Sequence, residues 1–240
     1  MEGKYQTALQ ILPSVCDSTA RLGIPNTFAL FMDMATVHAE MLGCGAGAMM
    51  SRGLFWLTVR TKIRFHRLPR LMEEVTAATW PGVPGKFKVM RYYTLHGGGE
   101  LLAEGKTEWA ISDLKTGKLQ PSDGVYPPGL EIDETKAVDE PFVRITDDFS
   151  PEEERGTYLV RSTDIDLGGH MNNAAYVRAA IGMFSAQELK ELRISDVDVC
   201  FRAPCYEGER LSVRTRQADG ALDLGMLRPD GKTALLMHIK

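Results

Sequence analysis

The 240 residues include four cysteines, Cys16, Cys44, Cys200 and Cys205, and none of them forms a CxxC pair or stands near a histidine cluster. That spacing excludes a zinc ribbon and a disulfide framework, so no metal and no cofactor is expected, and the setting is expected to be reducing and cytoplasmic. A basic surplus is missing too: 28 Lys and Arg against 32 Asp and Glu give a formal charge of -4, which argues against nucleic acid as a partner. Long apolar runs are absent. The longest charge-free windows, Leu22 to Met32 and Met41 to Ser51, fall short of the roughly 20 residues that a membrane span needs. The opening Met1-Glu2-Gly3-Lys4 has neither the apolar centre of a signal peptide nor the arginine-rich pattern of a transit segment, so a soluble protein without membrane insertion is expected.

What is present is enough apolar content, 44%, to bury a real core in one large or two small domains. Residues 4–16 read as a strand. Thr27 to Leu42 places Phe28, Phe31, Met32, Ala35, Ala39 and Leu42 at helical spacing, with Asn26 as a cap and Gly43 as a stop. After a glycine-rich loop, Leu54–His66, Glu73–Trp80, Lys86–Leu95 and Leu101–Leu114 read as strands punctuated by turn residues. From Glu131 to Arg155 ten acidic residues stand against three basic ones, with prolines in and beside the run, which suggests a solvated connector over 127–155 touching little core. Thr157–Thr163 then reads as a strand and Asn173–Leu189 as a helix. The strands Val197–Arg202, Arg210–Gln217, Ala221–Leu227 and Thr233–Ile239 follow, with turns at Ala218-Asp219-Gly220 and Pro229-Asp230-Gly231.

The same order, strand, helix, then a run of strands, occurs twice, in 1–126 and in 156–240. "LGIPNTFALF" (22–31) can be laid over "LGGHMNNAAYV" (167–177) with one gap, which puts Pro25 where the second half has His170. One long helix against an antiparallel sheet in each half implies α+β packing, with the sheet curled around the helix.

Two stretches carry a family resemblance. "HAEMLGCGAGAMMSRGLFWLTVRTKIRFHRLPRLMEEVTAATW" (38–80) resembles the first domain of acyl-ACP thioesterases, whose pattern runs HAE-x-LG, a GL-x-W strand, a basic strand and R-x-P-x-x-x-[ED]-E-[VI]. "DIDLGGHMNNAAYV" (164–177) resembles the second-domain motif D-x-N-x-H-[VM]-NN-x-x-Y. The resemblance implies a tandem (double) hotdog fold of the α+β class that hydrolyses acyl thioesters carried on the phosphopantetheine arm of acyl carrier protein, giving free fatty acid. It puts Asp166 on the motif aspartate and His170 on the histidine. Two positions depart from the pattern: Gly168 stands for the motif asparagine, and in "FRAPCYEGE" (201–209) Pro204 takes the position of a glutamate, beside Cys205 at a cysteine position implicated in catalysis.

A thioester is already activated, since its leaving thiol has a pKa of about 8.5, so the chemistry needs mainly a positioned water, a base and a place for the oxyanion. Histidine is the residue type suited to act as a base near neutral pH, which selects His170. Asp166, four residues earlier, either orients the imidazole or holds the water. Gly168 and Gly169 bring backbone amides close to a helix start, a candidate oxyanion hole. Asn172 reads as the N-cap, Asn173 as a cap or a contact to the thioester, and Asp164 as a turn or surface residue. Cys205 is a weak nucleophile candidate and Cys200 a core residue, while His38 and Glu40 are expected to tie the first helix to its surroundings. In "VRTKIRFHR" (59–67) the alternation puts Arg60, Lys62, Arg64 and His66 on one strand face, either a solvated face or the docking row for an acidic carrier protein. The acyl chain is expected along the first helix. Acyl-CoA as donor, a hotdog hydratase and a non-catalytic acyl-thioester binder are the rival readings, and a duplicated chain fits a monomer as well as a homodimer.

Overall fold

The computed structural model describes residues 3–218 and 220–240, so Met1, Glu2 and Asp219, the middle of one expected turn, lie outside it. The chain divides into two compact units, Met1–Glu140 and Pro141–Lys240. In the first, β1 (Tyr5–Gln10) precedes α1 (Ile24–Met41) and the short α2 (Ala46–Ser51). Then come β2 (Leu54–Phe65), β3 (Glu74–Pro81), β4 (Val89–Gly97), β5 (Glu100–Asp113) and β6 (Leu119–Gln120). The antiparallel order is β1-β3-β4-β5-β2, with β6 on β5.

The first helix begins three residues before the expected start. Gly23 is its N-cap and Pro25 lies in the first turn, where a missing N–H and a fixed φ do no harm. Asn26, expected as the cap, instead donates from Nδ2 to the Val15 carbonyl at 2.8 Å. The loop expected over 43–53 folds partly into α2. Phe31, fully buried on α1, stacks on Tyr93 of β4 with ring centroids 4.8 Å apart. Glycine at 105 permits that approach, since a Cβ there would stand 3.1 Å from the Phe31 ring. His38 ties the helix to the sheet: buried Arg91 of β4 donates from Nη1 to His38 Nδ1 at 3.0 Å and to Thr79 Oγ1 at 3.3 Å. A guanidinium out of water must spend its donors in this way.

In the second unit β7 (Glu154–Leu159) leads to α3 (Asn173–Ile181) and α4 (Ala186–Leu192), then β8 (Asp196–Phe201), β9 (Arg210–Ala218), β10 (Ala221–Leu227) and β11 (Thr233–Ile239). The order is β8-β11-β10-β9-β7, again antiparallel. The single helix expected over 173–189 is two. The chain leaves α3 at Gly182, and a reciprocal capping box starts α4, with Glu188 N–H donating to Ser185 Oγ at 3.2 Å and Ser185 N–H to Glu188 Oε2 at 2.8 Å. No helix among the described residues is long and apolar enough to cross a membrane.

The acidic connector is better anchored than its composition suggests. Val138, Ile145 and Phe149 are buried, Ala137 packs against Ala78, Trp80 and Tyr92, and Ile145 and Phe149 pack with Leu236. Apolar residues spaced among the acids hold it down, so it does more than span solvent.

The two units share a turn that the letters hide. Cys16 bridges Leu22 in the first as Ile165 bridges Met171 in the second. Gly23 N–H donates to the Val15 carbonyl at 3.0 Å as Asn172 N–H does to Asp164 at 2.7 Å, and both Gly23 and Asn172 are N-caps. The match runs without a gap, so Arg21 corresponds to His170 and Pro25 to Ala174. The gapped alignment, drawn by the Leu-Gly pair, placed Pro25 wrongly.

A carboxylate pins each turn from behind. Glu73 accepts from Arg67 at 2.7 and 2.9 Å and from Arg70 N–H at 2.8 Å, and Glu209 accepts from Arg228 at 2.7 and 3.3 Å and from Tyr206 N–H at 3.1 Å. The loops thus fixed offer the Pro69 and Cys205 carbonyls to Leu22 and Met171 N–H at 2.9 and 2.8 Å. The Arg67 guanidinium holds the Glu73 carboxyl down at about 2, and Arg228 likewise holds Glu209 below the usual range. A depressed carboxyl contributes stability above the unfolded value of about 4.3 and loses it as pH falls through the folded one. Glu73→Gln is therefore expected to cost about 1–2 kcal/mol at pH 7. Urea melts should find that difference shrinking between about pH 4.5 and pH 2; a difference independent of pH would rule the clasp out.

Candidate functional site

Asp166, Gly168, Gly169 and His170 occupy one tight turn at the mouth of α3. Asp166 N–H donates to the His170 carbonyl at 3.0 Å, and Gly169, at φ +74°, donates its N–H to the Asp166 carbonyl at 3.0 Å. Gly168 N–H donates to Asp166 Oδ1 at 2.8 Å, which fixes the carboxylate. The imidazole Nδ1 lies 3.4 Å from the Met171 carbonyl and 3.9 Å from Asp166 Oδ1. A carbonyl can only accept, so a hydrogen bond at that contact takes its proton from Nδ1. Nε2 leans over Gly168, since a Cβ built there would stand 2.8 Å from it and 3.0 Å from Asp166 Oδ1. The ring thus fills the space where the motif asparagine would begin.

The first unit's turn serves as an internal control. Asp17 holds the place of Asp166, accepting Thr19 N–H at 2.8 Å, and its N–H donates to the Arg21 carbonyl at 2.7 Å. There, however, the Thr19 hydroxyl also donates to Asp17 Oδ1 at 2.7 Å, and the Arg21 N–H adds a third bond at 3.3 Å. Glycine at 168 removes that hydroxyl. The backbone is the same, but the carboxylate of the second turn keeps accepting capacity for an imidazole or a water.

Several expected roles change. The Gly168 and Gly169 amides, expected at the oxyanion, both donate to Asp166. Asn172 is the cap, accepting Ala174 N–H at 2.8 Å, and Asn173 sits half-buried at the first helical position. Cys205 is 0% exposed and burial pushes its thiol up to about 11, the opposite of what a nucleophile needs, so its part is the backbone carbonyl that holds Met171. Asp164 is neither turn filler nor surface residue. It is buried and accepts Tyr158 O–H at 2.8 Å and Arg161 N–H at 2.9 Å. Only a pattern placing an acid two residues before another, ahead of a helix cap, could have hinted at it.

The basic row on β2 is paired within the chain. Lys62 is 5% exposed, Arg60 pairs with Glu108 at 3.4 Å, and Arg64 pairs with Glu140 of the connector at 2.6 Å. Lys106 Nζ also donates to the Glu140 carbonyl. Strand alternation read the face correctly, but the chain's own acids pair with it, and of the row Lys62 is buried while Arg60 and Arg64 stay about a third exposed. Of Phe28, Phe31, Met32, Ala35 and Leu42, expected to shape the far end of the acyl site, all but half-buried Met32 are buried in the first unit's core. An open cleft of about 850 Å3 adjoins the end of α1, lined by Tyr5, His38, Met41, Leu42, Glu131 and Ile132 among others.

Comparison with known proteins bears on this turn. Residues 2–123 match the model of the acyl-ACP thioesterase N-terminal domain, and residues 149–230 that of the C-terminal domain. A palmitoyl-acyl carrier protein thioesterase, chloroplastic, from Arabidopsis thaliana is 24% identical over 208 residues, 80% of this chain and 49% of that protein. The chain thus spans about half the length of that curated relative. An acyl-ACP thioesterase structure from Bacteroides thetaiotaomicron superposes with a TM-score of 0.85 at 19% identity, covering 99% of this chain and 97% of that one. A 12:0-ACP thioesterase from Umbellularia californica gives 0.84 at 18% identity, covering 99% and 96%. At that identity the likeness establishes the fold, the double hotdog.

The packing of His170 over Gly168 yields a direct test. The Gly168 backbone is outside the left-handed region and the atoms that a Cβ would meet are side-chain ends, so Gly168→Ala is expected to fold with stability within about 1 kcal/mol of wild type. The new methyl must displace the imidazole, and on the thioesterase reading proposed below a displaced His170 is expected to cut turnover by about tenfold or more. Unchanged turnover would mean that the ring works from another position.

Proposed function

The chain belongs to the acyl-ACP thioesterase family, and from that premise we propose that it hydrolyses acyl thioesters on acyl carrier protein to free fatty acid and the carrier's thiol. The observation that carries the reading is the closed turn that holds His170 Nε2 over Gly168 beside a carboxylate with accepting capacity to spare. His170 Nε2 takes a proton from water as the water oxygen bonds to the thioester carbon. Collapse of the tetrahedral intermediate breaks the C–S bond, and the imidazolium returns its proton to the departing thiolate. Asp166 steadies the imidazolium or the water. Asn173, on the first turn of α3 with the positive end of the helix dipole behind it, is the donor assigned to the oxyanion. Four unpaired thiols fit the reducing, cytoplasmic setting assigned to the reaction.

The test is release of acid from acyl carrier proteins loaded with chains of increasing length. His170→Ala is expected to lose about 100-fold or more in kcat at every length. Equally slow release by wild type and variant would remove His170 as the base.

A further inference from the structure

We propose that the carrier protein docks on the catalytic turn itself, with Leu167 as its apolar anchor and Arg161 and Arg178 as its basic rim. This inference rests on the thioesterase reading and replaces the β2 row as the docking surface. Leu167, at the tip of the turn, is 93% exposed, more than any other large hydrophobic residue among those described. One exposed leucine is ordinary on a protein surface; what marks this one is its place beside His170 and its absence from the matching turn of the first unit.

The duplicated turn in the first unit excludes a structural need for it. With the same hydrogen bonds and no histidine, that turn carries Ser18 where this one carries Leu167. The flanking charges follow the same rule. Arg161 and Arg178 correspond to Leu12 and Ala29 in the first unit, so both arginines occur only beside the turn with the histidine. Arg161 is exposed, and the Arg178 side chain is 60% exposed, with buried Asp164 at 3.8 Å. Both arginines meet Asp164, Arg161 through its N–H at 2.9 Å and Arg178 through its guanidinium at 3.8 Å, so they stand at the base of the turn that carries Leu167 at its tip. An apolar knob with cations at its base is complementary to an acidic surface with an apolar strip, and a bearer bound there delivers its thioester beside His170.

Two readouts test the proposal on the full chain. The first is the anisotropy of fluorescently labelled carrier protein bound by wild type, Leu167→Ser and the double variant Arg161→Ala/Arg178→Ala. The second is the ratio of kcat/KM for acyl carrier protein to kcat/KM for the N-acetylcysteamine thioester of the same acid. Each variant is expected to weaken binding and lower the ratio by about tenfold, and binding by the arginine variant should lose most of its salt dependence. Melting temperatures check the fold, and Ser18 already shows that this turn accepts serine. Binding and ratio within twofold of wild type in all variants would overturn the docking site. If wild type hydrolyses neither substrate, the thioesterase reading fails, and the binding series still decides where the carrier protein sits.

Discussion

Each half of this protein depends on a short turn locked at both ends before the helix begins. In the second half the lock is the Ile165–Met171 bridge, with Met171 N–H on the Cys205 carbonyl and Asn172 N–H on the Asp164 carbonyl. These bonds fix the N-cap, and the N-cap fixes the direction of α3 and of its buried face. The lock is itself held from outside, by the Glu209–Arg228 pair that shapes the 205–209 loop. Moving any of these would move His170, so the site is rigid because the scaffold cannot form without it.

Duplication separates what the turn needs from what chemistry needs. The fold needs an aspartate at the turn's start, a residue near αL at its fourth position and an N-cap; both halves supply them, with Ala20 at φ +56° where the other half has Gly169. Everything else differs, and the differences converge. Thr19, which saturates Asp17, becomes Gly168; Arg21 becomes His170; Ser18 becomes Leu167. A structural turn uses up its polar groups, whereas a working one leaves some unspent.

Much of this was legible in the letters. The strand-helix-strands order repeated twice, and the Asp166-to-His170 spacing at a helix mouth, were visible in periodicity and turn residues. What escaped has physical reasons. The internal repeat is nearly invisible because backbone bonds define it, leaving Asp17 and Asp166 as the one polar letter shared within the turn and Glu73 and Glu209 as the one shared behind it. Cys205 looked like a thiol candidate because sequence does not show burial, and the Arg60–Lys62–Arg64 row looked open because the carboxylates paired with it, Glu108 and Glu140, come from distant positions. The break after Ile181 was readable in Ser185 and Glu188, a capping box that helical periodicity ran past.

Gly168 changes meaning in this light. Measured against the family motif it is a missing asparagine, a polar group lost next to the base. Measured against Thr19 it is a side chain that must be absent, because any Cβ there meets the His170 ring and any hydroxyl competes for Asp166. A thioester asks little of a catalyst beyond water, base and a home for one negative charge, so a group close to the carbonyl can be given up if the base moves into its place. In this chain the imidazole itself takes the space, so the proposed chemistry would rest on fewer groups held more tightly.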